Sequence, residues 1–297
     1  MILIVGASGR LGTAVARRLL AAGQPVRAMS RMPAKLGELR ALGAEVVAGD
    51  LRDPESLAHA CQGAEMVLAA AHAFDSKGDN IPLAIDDAGN RQLIDAARAA
   101  GVQHFVLTSI MGARDDHPVD LLRAKYRAEQ HLRASGLSYT MLRPTAFMEL
   151  WAALIGEPIV RQGKTMIFGR GTNPINFVAV EDVARFALIA LADPRAHNQI
   201  IEIGGPENLS LLRIAATFER VTGRTASKQH IPLPVMRVMA VLMRPVKPAF
   251  ARQIQMGVIM DTTDMTFDPG PTLARFPMEL TRLEDVVRAR YGSPISA

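Results

Sequence analysis

Met1-Ile2-Leu3-Ile4-Val5-Gly6-Ala7-Ser8-Gly9-Arg10-Leu11-Gly12 opens the chain and decides its fold. Residues 2–5 are an unbroken apolar run, the pattern of a strand buried on both faces of a parallel sheet. Three glycines follow at three-residue spacing, and from Thr13 the pattern turns helical. In a strand–turn–helix each glycine has a task. Gly6 turns the chain out of the strand, Gly9 admits a phosphate close to the backbone, and Gly12 lets the helix approach the sheet. The N–H groups at the helix start, with the positive dipole end, then receive an anion. Gly6, Ser8, Gly9, Arg10, Leu11 and Gly12 are therefore the candidate pyrophosphate loop; a merely tight turn is the plainer reading.

Outward from this loop the first half repeats one cycle of apolar strand, helix and glycine. Helices are expected at about 10–22, 33–42, 54–62, 80–100 and 118–135, ended by Gly23, Gly43, Gly63, Gly101 and Gly136. Each glycine is followed by another apolar run. Asp53 is the expected cap before Pro54. Alternation of this kind implies parallel strands joined by right-handed crossovers, with a ligand crevice beyond their carboxyl ends.

Residues at those ends are the candidate site. Strand two ends at Ser30-Arg31, with Lys35 behind, where an NAD-specific site places an acid for the ribose 2′-hydroxyl. Arg31 suits a 2′-phosphate instead; otherwise it is an exposed surface arginine. Strand three ends in Gly49-Asp50-Leu51, where Asp50 accepts from an adenine amine or serves as a cap. Strand four gives Ala69, Ala70 and Ala71, small enough for a cofactor to lie against the backbone. His72 and Phe74 follow, facing the crevice or standing in a solvated loop. Strand five ends at Thr108-Ser109, and the next helix carries Lys125, Tyr126 and Glu129.

The block from Lys125 through Ser135-Gly136-Leu137-Ser138-Tyr139-Thr140-Met141-Leu142-Arg143-Pro144 to Phe147 resembles the NmrA-like branch of the atypical short-chain dehydrogenases/reductases. The glycine loop, Arg31, Gly49-Asp50-Leu51 and residues 176–184 match in the same order, so the resemblance spans roughly the first 190 residues. It implies NADP(H) as cofactor, with Thr108, Pro144 and Phe147 beside it. One departure matters. The larger superfamily places Tyr four residues before Lys, on one helical face; here Leu121 stands four before Lys125. The tyrosine acid is absent, Tyr126 is not in its place, and Lys125 is left to hydrogen-bond the nicotinamide ribose and lend positive charge to the reaction. The bland reading of Lys125 is an exposed helix pair with Glu129.

Composition sets outer bounds. At 297 residues, 49% hydrophobic and 21% charged, the chain reads as an ordinary soluble globular protein. One cysteine, Cys61, excludes a disulfide framework and suits a reducing cytoplasm. A strand at residue 2 leaves no secretory signal in front of it, and no apolar stretch reaches bilayer length. Net charge is +5, and between Arg220 and Met260 there are seven Arg/Lys and no Asp or Glu. With 5% aromatic residues and no stacking motif, nucleic acid is not an expected partner. No His/Cys/Asp/Glu cluster has metal spacing.

The expected architecture is α/β: a doubly wound (Rossmann) NAD(P)-binding domain over 1–150 and a smaller mixed substrate-side lobe over 151–297. A helix near 181–192 returns to the sheet, and the last helix opens with a Thr281–Glu284 capping box. The expected function is NADPH-dependent reduction of a small, largely apolar carbonyl, enone or quinone, with Lys125 and the His72 loop as catalytic candidates. The alternative is a non-catalytic NADP(H)-sensing regulator or assembly factor. Residues 232–260, with five methionines between 236 and 260, are expected to form a flap whose methionines line an apolar pocket while Arg237, Arg244 and Arg252 stay solvated. Ordinary helix packing, a subunit interface of a homodimer included, and a membrane-surface role are the other readings of that segment.

Overall fold

A computed structural model describes residues 1–73 and 81–292. In chain order the elements are β1 (Ile2–Val5), α1 (Arg10–Ala21), β2 (Val26–Ser30), a 3-10 turn (Pro33–Leu36), α2 (Gly37–Ala41), β3 (Glu45–Ala48), α3 (Pro54–Cys61), β4 (Met66–Ala69), a π-helical turn (Leu83–Gly89), α4 (Asn90–Ala99), β5 (His104–Thr108), α5 (Asp120–Ala134) and β6 (Ser138–Pro144). They continue as β7 (Ala146–Phe147), α6 (Met148–Gln162), β8 (Lys164–Phe168), β9 (Ile175–Val178), α7 (Val180–Ala192), β10 (Gln199–Ile203), β11 (Asn208–Leu209), α8 (Leu211–Thr222), β12 (Ser227–Ile231), α9 (Leu233–Met243), α10 (Pro248–Thr262), α11 (Gly270–Arg275) and α12 (Leu283–Tyr291). The chain divides into two units, one of Met1–Pro144 with Val183–Glu202, the other of Thr145–Asp182 with Ile203–Ala297.

The first unit is built on a seven-stranded sheet of order β10-β6-β5-β4-β1-β2-β3. The pairings β3–β2, β2–β1, β1–β4, β4–β5 and β5–β6 are parallel, so the doubly wound expectation holds. Order reverses between β1 and β4, which places the crevice beside the glycine loop. Leu3, Val5, Val67, Phe105, Leu107 and Met141 from the strands pack with Leu57, Leu93, Ile94 and Leu132 from the helices. α1 buries Leu11, Val15, Ala16 and Leu19, the one-sided spacing of a helix lying on a sheet. Cys61 lies in this core, where burial pushes its thiol up to about 11. Asp53 caps α3 by accepting from the Glu55 N–H. The expected fourth helix is instead a π-turn followed by α4; its residue 80 lies outside the described residues, as does Phe74.

The second unit contains a three-stranded sheet of order β11-β9-β7 and a two-stranded parallel sheet of β12 and β8. Buried Asn176 accepts from the Thr145 hydroxyl and the Gly205 N–H and donates to Gly205, Glu207 and Asn208. Buried Asp261 takes the N–H groups of Arg170 and Gly171, fixing the glycine-rich loop to the end of α10. Two expectations change here. Thr281 does not cap the last helix: its N–H and hydroxyl both go to buried Asp182, while Glu284 pairs with Arg220 and Arg288. Met236, Met256 and Met260 are interior rather than pocket-lining, and Arg252 is buried rather than solvated.

Candidate active site

At the carboxyl ends of the strands of the first unit lies a cleft of ≈ 180 Å³. Its walls are Val5, Gly6, Ser8 and Gly9 at the end of β1 and beyond, Met29, Ser30 and Arg31 at the end of β2, Gly49, Asp50 and Leu51 after β3, and Ala70, Ala71 and His72 after β4, with Ile85 of the π-turn. Five segments far apart in sequence thus converge because parallel strands all point the same way.

The glycine loop has the shape of a cradle. Gly6 has φ +86, and a Cβ there would lie 2.7 Å from the Ala71 nitrogen, so no other residue fits. A Cβ on Gly12 would strike the Gly6 carbonyl, which makes Gly12 a packing residue between α1 and the loop. Leu11 also turns into the core, leaving only its backbone near the loop. α1 has no side-chain cap and no acid in its first turn. Its first N–H groups are therefore left for an anion. The Ser8 and Ser30 hydroxyls meet at 3.0 Å across the cleft floor, joining the β1 and β2 ends. Arg31 is exposed on the wall; Arg10 and Lys35 are exposed outside the lining. Asp50 enters the cleft already bonded to Arg52, whose guanidinium holds the carboxyl below its usual range. The loop and the open helix start fit a dinucleotide pyrophosphate.

Farther along the sheet edge the structure redraws the Lys125 expectation. Lys125 is buried, and its ammonium lies 3.0 Å from Asp86 Oδ1 as an ion pair. It also donates to the Thr108 carbonyl at 2.8 Å and the Ala71 carbonyl at 3.4 Å. One ion-pair partner and two carbonyl acceptors surround the ammonium, so the lysine braces the ends of β4 and β5. Asp86 completes the brace by accepting the Ala73 N–H with its other oxygen at 3.0 Å. The Lys125–Glu129 pair does not exist: Glu129, fully buried, is gripped by Arg143 through two hydrogen bonds at 2.9 and 2.5 Å. Leu121, at the tyrosine position, is a core residue.

Beside the brace, the hydroxyls of Thr108 and Ser109 are buried and have no hydrogen-bond partner among the described residues. Buried polar atoms are nearly always satisfied, so two neighbouring exceptions at a strand's carboxyl end point to a ligand. Pro144 is buried and offers its carbonyl to Met111, so it shapes this region through the backbone. Phe147 belongs to the second unit, on β7. His72 is exposed on the cleft wall. Sequence reading missed Ser30, Asp86 and Ser109. A hydroxyl at each strand end was the available signal for the serines; nothing in the local pattern marks Asp86.

Comparison with known proteins agrees with this geometry. The sequence profile of the NmrA-like family matches residues 1–266. An NAD(P)H azoreductase of Xenophilus azovorans is 34% identical over 225 residues, covering 75% of this chain and 74% of the relative. A photosystem II assembly factor of Synechocystis sp. is 28% identical over 300 residues, covering 98% of this chain and 90% of its own. Among solved structures, an NADPH-dependent quinone oxidoreductase from Escherichia coli in complex with NADPH superposes with a TM-score of 0.78. It is 26% identical, over 97% of this chain and 99% of that one.

Proposed function

The chain belongs to the NmrA-like family, and on that premise we propose that it is an NADPH-dependent oxidoreductase that reduces a small, largely apolar carbonyl, enone or quinone. The observation that carries the reading is the strand-end cleft with its glycine cradle. It is supported by the buried hydroxyls of Thr108 and Ser109 at the end of β5, which have no hydrogen-bond partner among the described residues. Bound there, the nicotinamide supplies the hydride.

The protein's own groups do the rest. The first N–H groups of α1 hold the pyrophosphate, and Gly9 lets it come close. Arg31 and Ser30 take the 2′-phosphate, a charge-assisted contact that NADH cannot make. Leu51 and Ile85 offer the adenine an apolar wall. Lys125 acts as a positioning residue: it fixes the Ala71 and Thr108 carbonyls, and with them the strand ends against which the nicotinamide lies. The Thr108 and Ser109 hydroxyls are donors for a carbonyl oxygen, a role of the oxyanion-stabilising kind. Water or the His72 loop delivers the proton.

A second reading, a sensor of the cofactor without turnover, is favoured by Leu121 in place of the tyrosine acid and by the assembly-factor relative. One experiment separates the two. NADPH binding is followed by fluorescence, then NADPH consumption is measured against a panel of quinones, enones and azo dyes. Turnover of any panel member supports the reductase; tight binding with no turnover supports the sensor.

A further inference from the structure

In the second unit, α9 packs one face on α10 and leaves the other uncovered. Met236 is 1% exposed and sits against Gly257, where a Cβ would come within 3.0 Å of its methyl. The outer face carries Val235 at 47%, Val238 at 57%, Val241 at 71% and Leu242 at 61%, and exposed Val246 at 71% and Phe250 at 41% follow in the connection and the first turn of α10. Spacings of three and four put the helical members on one side. Valine is a poor helix former, so nothing local favours three of them on a wet helical face. Single exposed apolar residues need no explanation, but a contiguous stripe marks an interaction surface.

The charges around the stripe select its partner. Arg237, Arg244 and Lys247 are exposed within or beside it. Of the other basic residues between Arg220 and Met260, Arg220 and Lys228 are paired with Glu284 and Glu219 and Arg252 is buried, so Arg237, Arg244 and Lys247 are the cations that matter at the stripe. A second copy of the chain, meeting face to face, would set these cations against themselves. An anionic surface with an apolar interior complements both features. At 1.5 Å per residue, α9 is about 16 Å long against a hydrocarbon core of about 30 Å, so it lies on a bilayer rather than across one. Among the described residues no helix is long and apolar enough to cross. We propose that α9 and its connection into α10 dock on an anionic lipid surface, with the valine stripe at the headgroup–acyl boundary and Arg237, Arg244 and Lys247 among the headgroups.

Flotation of the full chain with vesicles tests this without any use of turnover. The protein should float with phosphatidylcholine vesicles containing phosphatidylglycerol, less so as salt rises, and not with phosphatidylcholine alone. The double variant Val238→Asp, Val241→Asp should lower the partition at least about tenfold, as two charges enter the apolar boundary. The variant Arg237→Gln, Arg244→Gln, Lys247→Gln should lower it by about fivefold per cation. Both should keep wild-type circular dichroism and NADPH affinity, because every substituted residue is exposed. Absence of flotation with the anionic vesicles, or equal flotation with both kinds, overturns the proposal. So does a concentration-dependent dimer that the two aspartates dissolve, which would assign the stripe to a second copy.

Discussion

Strand β5 carries polar side chains at both ends, and the two ends are finished differently. At its amino end, buried His104 stacks on His197 with ring centroids 4.1 Å apart. Its Nδ1 lies 2.9 Å from the Ser138 hydroxyl and its Nε2 3.1 Å from that of Thr140. Thr140 spends its own proton on the Ala196 carbonyl, so it accepts from Nε2–H, and Ser138 donates to Nδ1. Every polar atom there is closed within the protein. At the carboxyl end, Thr108 and Ser109 are buried almost as deeply, and their hydroxyls have no such partners among the described residues. One strand thus separates stability from function: polar groups are satisfied where the sheet only has to hold, and left open where the crevice lies.

The sharpest way to break this contrast is to cut the brace behind the open end. Asp86→Ala leaves the Lys125 ammonium buried without its carboxylate, and removal of one partner of a buried pair costs about 3–5 kcal/mol. Urea denaturation should show that loss, and NADPH affinity should fall with it, because Ala71 and Ala73 are released. Adding Lys125→Met to Asp86→Ala should restore much of the stability but not the affinity. Additive losses in the double variant would show that the two residues act separately.

At the closed end the effect is one of pH. Burial, reinforced by His197, lowers His104 to about 4 from an ordinary 6.5. The folded state therefore holds the ring neutral while the unfolded chain takes up a proton. Its contribution is complete above about 6.5 and is lost as pH falls towards 4, by up to about 3 kcal/mol. Denaturation midpoints measured from pH 7 to 4 should fall through that window, and His104→Gln should flatten the fall.

Ser109→Ala should behave in the opposite manner. Among the described residues the hydroxyl has no hydrogen bond to lose, so stability should change by less than about 0.5 kcal/mol. Turnover with an accepted substrate should drop about ten- to a hundredfold, the loss of one donor to a developing oxyanion. A large fall in melting temperature with unchanged kcat would place this hydroxyl with the closed groups. The smallest effect belongs to Arg31→Ala, at an exposed site: NADPH should bind about tenfold more weakly and NADH almost unchanged. Equal affinity of the intact protein for both cofactors would remove Arg31 from the site.

How much of this could be read in the sequence follows from how local each signal is. The glycine loop, the cap at Asp53 and the strand–helix cycle are written in neighbouring residues, and the doubly wound parallel sheet followed from them; the order of its strands did not. The π-turn at Leu83–Gly89 has no periodic signature, so it read as plain helix. β8, Lys164-Thr165-Met166-Ile167-Phe168, alternates exposed and buried, but five residues between Gly163 and Gly169 are too short a run to stand out. Its partner β12, Ser227-Lys228-Gln229-His230-Ile231, is too polar to look like a strand at all. Partner choice was the least legible feature. Lys125 and Glu129, one helical turn apart, offered themselves as partners in the blander reading, but Lys125 finds buried Asp86 and Glu129 finds half-buried Arg143, each on another element, which only the tertiary fold supplies.

The core position of Cys61 has a chemical consequence. Enones and quinones add readily to thiolates, so a protein that handles them risks alkylating itself. The chain has one thiol, enclosed in the core and held protonated by its surroundings. With a pKa near 11, only about one molecule in ten thousand carries the thiolate at neutral pH. The proposed substrates would thus meet a polypeptide with almost no thiolate to attack them, a consequence of how α3 packs.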